Sequence, residues 1–140
     1  DFSSPDGLWF DQNGMLWIQT DDGAYTDVTN CMMLAAIPGK VGDGAAAVAA
    51  GGTPTIKGAN ATPTTVRRFL VGPKECEITG IAMTPDRKTM FINVQHPGED
   101  GSLGAMTSHW PASQTDAAST KRPRSATVVI TRSNGGEIAV

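Results

Sequence analysis

The chain lacks excess basic charge, long apolar runs and a set of cysteines. Its 140 residues carry a formal net charge of -3, so they offer no basic surface for nucleic acid or an anionic membrane. No apolar stretch approaches the roughly eighteen residues that a membrane-spanning helix needs. Two cysteines, Cys31 and Cys76, are too few to indicate a redox compartment, and the sequence leaves open whether they pair. We therefore expect no nucleic-acid partner and no membrane span.

The composition bounds the size of the core. Apolar residues make up only 39% of the chain, whereas glycine and proline are frequent, at 16 and 9 residues. This predicts one modest core, with much of the chain in turns and loops. The chain has no initiator methionine and enters at Asp1 directly into a turn before a strand. On this basis we expect an excised piece of a longer protein.

One hairpin pattern occurs twice. Residues 7–21 and residues 80–95 each contain a short apolar segment, a turn and a second apolar segment. Asn13-Gly14 marks the first turn and Pro85-Asp86 the second, because Asn and Gly tolerate positive φ and Pro presets a turn. The second turn is one residue longer, and the two segments then align Gly7 with Gly80, Leu8 with Ile81, Trp17 with Phe91 and Ile18 with Ile92.

Repeated hairpins of this kind, stacked face to face around an axis, are typical of β-propeller blades. Residues 31–35 and 66–70 are predicted as outer strands of the first blade, and residues 125–132 as a strand of the second. The predicted fold is therefore all-β, a β-propeller fragment of about two four-stranded blades. The first blade spans residues 1–70 and the second spans residues 71–140.

Two segments lack the strand pattern. Residues 37–64 are rich in Gly, Ala, Thr and Pro, and glycines flank the run Ala45 to Ala50. We predict that this insertion in the first blade is a mobile surface loop with no function of its own. Residues 96–124 are predicted as a long polar loop of the second blade.

Four motifs in a fixed order carry a resemblance to a known family. They are SPDGLWFDQNGMLWIQTDDG from Ser4, RRFLVGPKECEITGIAMTPDRKTMFINVQHPGE from Arg67, SHWP from Ser108 and RPRSATVVITRSNGG from Arg122. Together they resemble the C-terminal part of PhoX-type alkaline phosphatases, over nearly the whole chain apart from residues 37–64. The resemblance implies a six-bladed parent propeller, periplasmic or secreted. Such a parent hydrolyses phosphate monoesters with a cluster of calcium and iron ions in its central channel.

The resemblance also implies site residues. Glu77, in the family's Cys-Glu-x-Thr-Gly position, and Asp6, in Ser-Pro-Asp, would be metal ligands that precede the first strands of their blades and face the channel. Cations such as Ca²⁺ take about six to eight oxygen ligands, which no single blade supplies. Asp21 is a further candidate calcium ligand, although a strand-ending Asp-Asp-Gly is also typical of a turn. Lys74 is a candidate contact for the substrate's phosphate oxygens. The remaining ligands, including a cysteine on iron, are expected upstream.

Other polar residues have simpler interpretations. His96 and His109 each lie beside proline in a loop, where histidine more often caps a turn than binds a metal. Cys76 at a strand start is more often a small apolar residue than a ligand, and Glu75 is more simply a solvated neighbour of Glu77. No serine lies in a G-x-S-x-G context, so a serine nucleophile is not supported.

Two functions from different classes are consistent with these residues. The first is the C-terminal portion of a metal-dependent phosphatase that carries part of the active site and is inactive alone. The alternative is a non-catalytic β-propeller binding or scaffold module, in which Glu77 is an ordinary carboxylate at a strand mouth. Acidic residues and a cysteine at the channel-facing strand starts of the parent's other blades would favour the enzyme. Because two blades cut from a ring leave apolar faces and strand edges uncovered, we also expect a homodimer.

Overall fold

The computed structural model describes residues 4–21, 23, 28–37, 65–113 and 119–139, together with residue 52 and the backbone of 43–48 and 54–58. Within these ranges the chain forms nine β-strands and no helix, which confirms the all-β prediction. The strands are β1 (Pro5–Phe10), β2 (Leu16–Thr20), β3 (Met32–Ala36), β4 (Asp43–Val48), β5 (Pro54–Gly58), β6 (Val66–Val71), β7 (Glu77–Met83), β8 (Thr89–Gln95) and β9 (Ala126–Thr131). No helix of membrane-spanning length and apolarity occurs in the described ranges.

The strands form three antiparallel sheets. One has the order β1-β2-β3-β6 and holds the first predicted hairpin, and another has the order β7-β8-β9 and holds the second. The strands of these two sheets thus coincide with the apolar segments that were predicted as strands. Among the described residues the second sheet has three strands, one fewer than the four we predicted.

The third sheet is a hairpin of β4 and β5, which lies inside the segment predicted as a loop. The loop prediction is therefore wrong for residues 43–48 and 54–58. Val48, Thr55 and Ile56 are β-branched residue types that favour strands, and that signal was outweighed by the surrounding glycine and alanine. Apart from Ile37 and Gly52, the rest of residues 37–64 lies outside the described residues. In residues 96–113 and 119–124 the structure has turns and isolated bridges, as a polar loop requires.

Both hairpins contain a β-bulge in the first strand, in residues 5–8 of β1 and residues 79–81 of β7. Gly7 and Gly80, which the sequence repeat aligns, lie in these two bulges. Gly80 has a φ of 59°, and a Cβ there would lie 2.5 Å from Nδ2 of Asn93. A residue with a side chain would therefore be strained and would clash, which explains why the repeat has glycine at this position.

The two large sheets pack against each other through β7, which contacts β1, β2 and β3. Trp17 is fully buried between them and meets the ring of Phe69 edge to face at a centroid distance of 4.8 Å. The buried cluster comprises Trp17, Cys31, Met33, Cys76, Ile78, Met90, Ile92, Val94 and Ile138. Because side chains alternate along a strand, Ile18 and Leu34 belong to a second cluster on the opposite face of the first sheet.

Candidate metal site and adjoining cavity

Three side chains converge where the two large sheets meet. Asp21, Glu77 and His96 each present a possible ligand atom, and these atoms lie within 4.8 Å of one another. Glu77 begins β7 and pairs with Gln95 at the end of β8, so the antiparallel register places His96 beside it. Asp21 directly follows β2, which packs against β7. Strand pairing and sheet packing together therefore assemble this group.

His96 lies between two carboxylates. Its Nε2 is 3.4 Å from Oε2 of Glu77, and its Nδ1 is 3.0 Å from Oε2 of Glu99. Nδ1 is buried, and apart from this ion-pair contact it has no hydrogen-bond partner among the described residues. His96 also has a φ of 34°, an uncommon conformation for a residue with a side chain. Uncommon backbone conformations and buried nitrogens without a hydrogen bond are concentrated at functional sites, so we regard His96 as part of the site.

The donor set of the group is mixed. Glu77 is buried, His96 is half-buried and Asp21 is exposed, so the group opens to solvent on one side. Carboxylate oxygens bind both Ca²⁺ and iron, whereas imidazole nitrogen suits iron and other transition ions far better than Ca²⁺. The residues present therefore fit the iron of the implied cluster better than its calcium.

Asp6 does not belong to this group. It is exposed and is the second residue of β1, and Glu77 is the first residue of β7, so both residues lie at the start of their strands rather than before them as predicted. The strand starts early because Pro5 pairs with Thr20, and proline is tolerated as the first residue of an edge strand. The metal-ligand roles of Asp6, Asp21 and Glu77 stay predictions.

A cavity of about 430 Å³ adjoins the group. Its lining includes Asp21, Glu99 and Asp100, and one ammonium group, that of Lys74. The Lys74 side chain is 57% exposed, and its Nζ lies 3.1 Å from Oε1 of Glu75. The predicted phosphate-contact residue thus lies at the cavity, where it is already paired with a carboxylate.

Glu75 is not the solvated neighbour that the sequence suggested. Its side chain is only 11% exposed, and it accepts a hydrogen bond from the hydroxyl of Thr107. Burial acts to raise the pKa of Glu75, but the Thr107 hydrogen bond and Lys74 together hold that pKa below its ordinary value. Glu75 is therefore a fixed anion that positions Lys74.

Both cysteines are buried thiols that line the same cavity. Burial, followed by the charge effect of Cys31, raises the pKa of Cys76 to about 12. Cys76 is thus a neutral thiol at pH 7. His109 lies elsewhere, with its Nδ1 2.8 Å from the backbone oxygen of Lys121, where it ties together the long loop of the second sheet.

Sequence reasoning undervalued His96 and gave no role to Glu99. The signal that could have found His96 was the predicted hairpin itself. In an antiparallel pair, the residue after the second strand lies beside the residue that begins the first. The interpretation of residues 80–95 as a hairpin would have placed His96 and Glu77 at the same end of the sheet, but this inference was not drawn from the sequence.

The repeated bulged hairpins and the packed antiparallel sheets of the chain have the arrangement of neighbouring blades in a β-propeller. Comparison with protein families then gives its family. Residues 1–98 match the family described as alkaline phosphatase PhoX. The chain belongs to the PhoX alkaline phosphatase family, as its sequence motifs predicted.

Among solved structures, the chain is similar to Pseudomonas fluorescens PhoX in complex with vanadate, a transition state analogue. The two are 37% identical in sequence, with a TM-score of 0.65. The match covers 96% of this chain but only 18% of that protein, so the chain spans less than a fifth of its length. No curated protein matches the chain.

Proposed function

We propose that this chain is the C-terminal portion of a metal-dependent phosphatase that hydrolyses phosphate monoesters. The observation that carries this proposal is the convergence of Asp21, Glu77 and His96 beside a cavity that also contains Lys74. Family membership and the likeness to a vanadate-bound PhoX support the enzyme over the scaffold module. The chain supplies part of the active site, and other parts of the longer protein complete it.

In this proposal Asp21, Glu77 and His96 hold one metal ion of a cluster that includes iron and calcium. Bound cations supply positive charge at the phosphoryl oxygens during an in-line displacement. Glu77 is the anchor of the group, because it is buried and its backbone is paired within the sheet. His96 contacts Glu77 through Nε2 and thereby fixes the orientation of both side chains.

Lys74 binds the substrate in this proposal. Its side chain is exposed, and Glu75 holds it at the cavity by an ion pair at the surface. Surface ion pairs are weak, so a phosphate with more negative charge than one carboxylate displaces Glu75 as the partner of Lys74. Glu75 then serves to keep Lys74 near the cavity between turnovers.

The larger setting follows from the family. We place residues 1–70 and 71–140 in two neighbouring blades of a six-bladed propeller, with the Asp21, Glu77 and His96 group at the mouth of its channel. The phosphate ester enters from that mouth, and the longer protein is exported to the periplasm or secreted. Because a multi-ion cluster needs more ligands than this group supplies, the chain alone is inactive.

Glu77→Gln in the longer protein tests the proposal. This substitution keeps the shape of the side chain but removes its charge, so hydrolysis of a chromogenic phosphate ester should fall at least about a hundredfold. Metal content, measured by mass spectrometry of the elements, should fall with it, whereas circular dichroism should not change.

Glu75→Gln is the matched control, because Glu75 lies two residues away and outside the group. In this variant the side-chain oxygen of the glutamine can still accept the hydrogen bond from the Thr107 hydroxyl. We expect most of the activity and all of the metal to remain. Equal losses in the two variants, or full activity of Glu77→Gln, would reject Glu77 as a ligand, whereas a wild-type longer protein that hydrolyses no phosphate ester would favour the scaffold module.

A further inference from the structure

Cys31 and Cys76 lie at the same end of two packed strands. Cys31 immediately precedes β3, Cys76 immediately precedes β7, and β3 and β7 are in contact. Gly72 lies against both cysteines. Its N–H donates a hydrogen bond of 2.8 Å to the carbonyl of Cys31, and a Cβ on Gly72 would lie 2.4 Å from Sγ of Cys76. The sulfur of Cys76 therefore fills the space that a side chain on Gly72 would take, next to the backbone of Cys31.

Both thiols are also within reach of small molecules. Cys31 is 5% exposed and Cys76 is 3% exposed, and they belong to the same buried cluster. Both nevertheless line the cavity of about 430 Å³, which is large enough to admit a small ligand. The site is a pair of neighbouring cysteines that line one cavity.

We propose that Cys31 and Cys76 form a disulfide that joins the first large sheet to the second. Each thiol loses its proton, a bond forms between the two Sγ atoms, and two electrons pass to a small-molecule disulfide such as oxidised glutathione. The oxidant's S–S bond breaks, and it leaves as two thiols. The new bond closes residues 31–76 into a covalent loop and holds the start of β7, where Glu77 lies.

Peptide mapping of the longer protein tests the proposal. The native protein is incubated with oxidised glutathione, its remaining thiols are alkylated, and it is digested with trypsin without reductant. In this chain Cys76 lies in the tryptic peptide 75–87, and Cys31 lies in the peptide that ends at Lys40. We expect these two peptides to be joined by a bond that dithiothreitol breaks. In Cys31→Ser and in Cys76→Ser the joined species should be absent, with glutathione retained on the remaining cysteine.

Thermal unfolding of the wild-type protein gives a second test that needs no variant. The oxidised protein should melt several degrees higher than the reduced protein, and reductant should reverse the shift, because the cross-link restricts the unfolded chain. The proposal would be overturned if peptide mapping found the two cysteine peptides separate, each reduced or carrying only glutathione, in protein whose near-ultraviolet circular dichroism is native. A joined peptide that forms only after denaturation would overturn it equally.

Discussion

Gln19 of β2 donates a hydrogen bond of 2.9 Å from its side-chain amide to the backbone carbonyl of Gly80 in β7. Gln19 is 4% exposed, so this bond is a polar link within the mainly apolar contact of the two large sheets. Its acceptor belongs to the bulge of β7. The bond therefore aligns the strand that carries Glu77 with the strand that ends before Asp21.

Gln19→Glu should weaken this alignment. Glutamate has the same shape but cannot donate when ionised, and it would place a carboxylate oxygen against the carbonyl of Gly80. We expect the free energy of unfolding, measured in urea, to fall by about 1–3 kcal/mol. Gln12→Glu, at an exposed turn position, is the control and should change it by less than about 0.5 kcal/mol. Similar losses in both would mean that the bond contributes nothing.

Calcium should bind this chain weakly. The group of Asp21, Glu77 and His96 offers two carboxylates, whereas tight calcium sites use about six to eight oxygen ligands. Calorimetric titration should give a Kd weaker than about 10⁻⁴ M for Ca²⁺. A transition ion such as Mn²⁺ or Co²⁺ should bind more tightly, and His96→Ala should remove that preference. Sub-micromolar calcium binding would show that the calcium site is complete in this chain.

Thr107→Val should change how stability depends on pH. The folded-state pKa of Glu75 is lowered, so ionised Glu75 stabilises the fold above its unfolded-state pKa, and this contribution is lost as the pH falls through the folded-state pKa. The substitution removes the hydrogen bond from Thr107 that helps to lower that pKa. The free-energy difference between wild type and Thr107→Val should therefore be largest near pH 7 and shrink in acid.

Thr127→Val provides the control for this titration. The Thr127 hydroxyl donates to the neutral amide of Asn93 rather than to a carboxylate. Loss of this hydrogen bond should lower the free energy of unfolding by the same amount at every pH. A Thr107→Val difference that is also constant with pH would contradict the role assigned to Thr107.

Self-association should follow from the exposed apolar side chains. Leu8 and Phe10 lie on one face of β1 with exposed fractions of 65% and 59%, and β1 is an edge strand. We expect the chain to form homodimers, so that sedimentation velocity gives a coefficient that rises with concentration. Phe10→Ser should weaken this association, whereas Leu103→Ser should not, because Leu103 is 72% exposed but lies in a loop. A monomer at all concentrations would reject the prediction.

The strands of the large sheets could be predicted because their signals are local. Trp17 and Ile18 lie in an apolar run bounded by Asn-Gly, and the corresponding segment at Phe91 has the same pattern. The pairing of β4 with β5 could not be predicted in this way, since glycine and alanine give no periodic pattern. Local sequence therefore predicts an element best where a short apolar run is bounded by turn residues.

The site was less predictable because its geometry depends on contacts between distant segments. Glu77 could be singled out as an acid at a strand mouth, and Lys74 as its cationic neighbour. The approach of Asp21 depends on how two sheets pack, and the pairing of Glu75 with Thr107 depends on the course of a long loop. Neither contact can be predicted from the spacing of residues along the chain.

The bulge at Gly80 accommodates one extra residue in β7. Ile78 and Ile81 both pack on the same buried cluster although an odd number of positions separates them. Alternation along a regular strand would place them on opposite faces, and the extra residue at Gly80 corrects this. Without Gly80, Ile81 would lie two positions from Ile78, so a regular strand would keep both side chains on the core and leave the direction of Glu77 unchanged. In a redesign of this blade, Gly80 is therefore the position of β7 where one residue can be removed without exchanging the two faces of the strand.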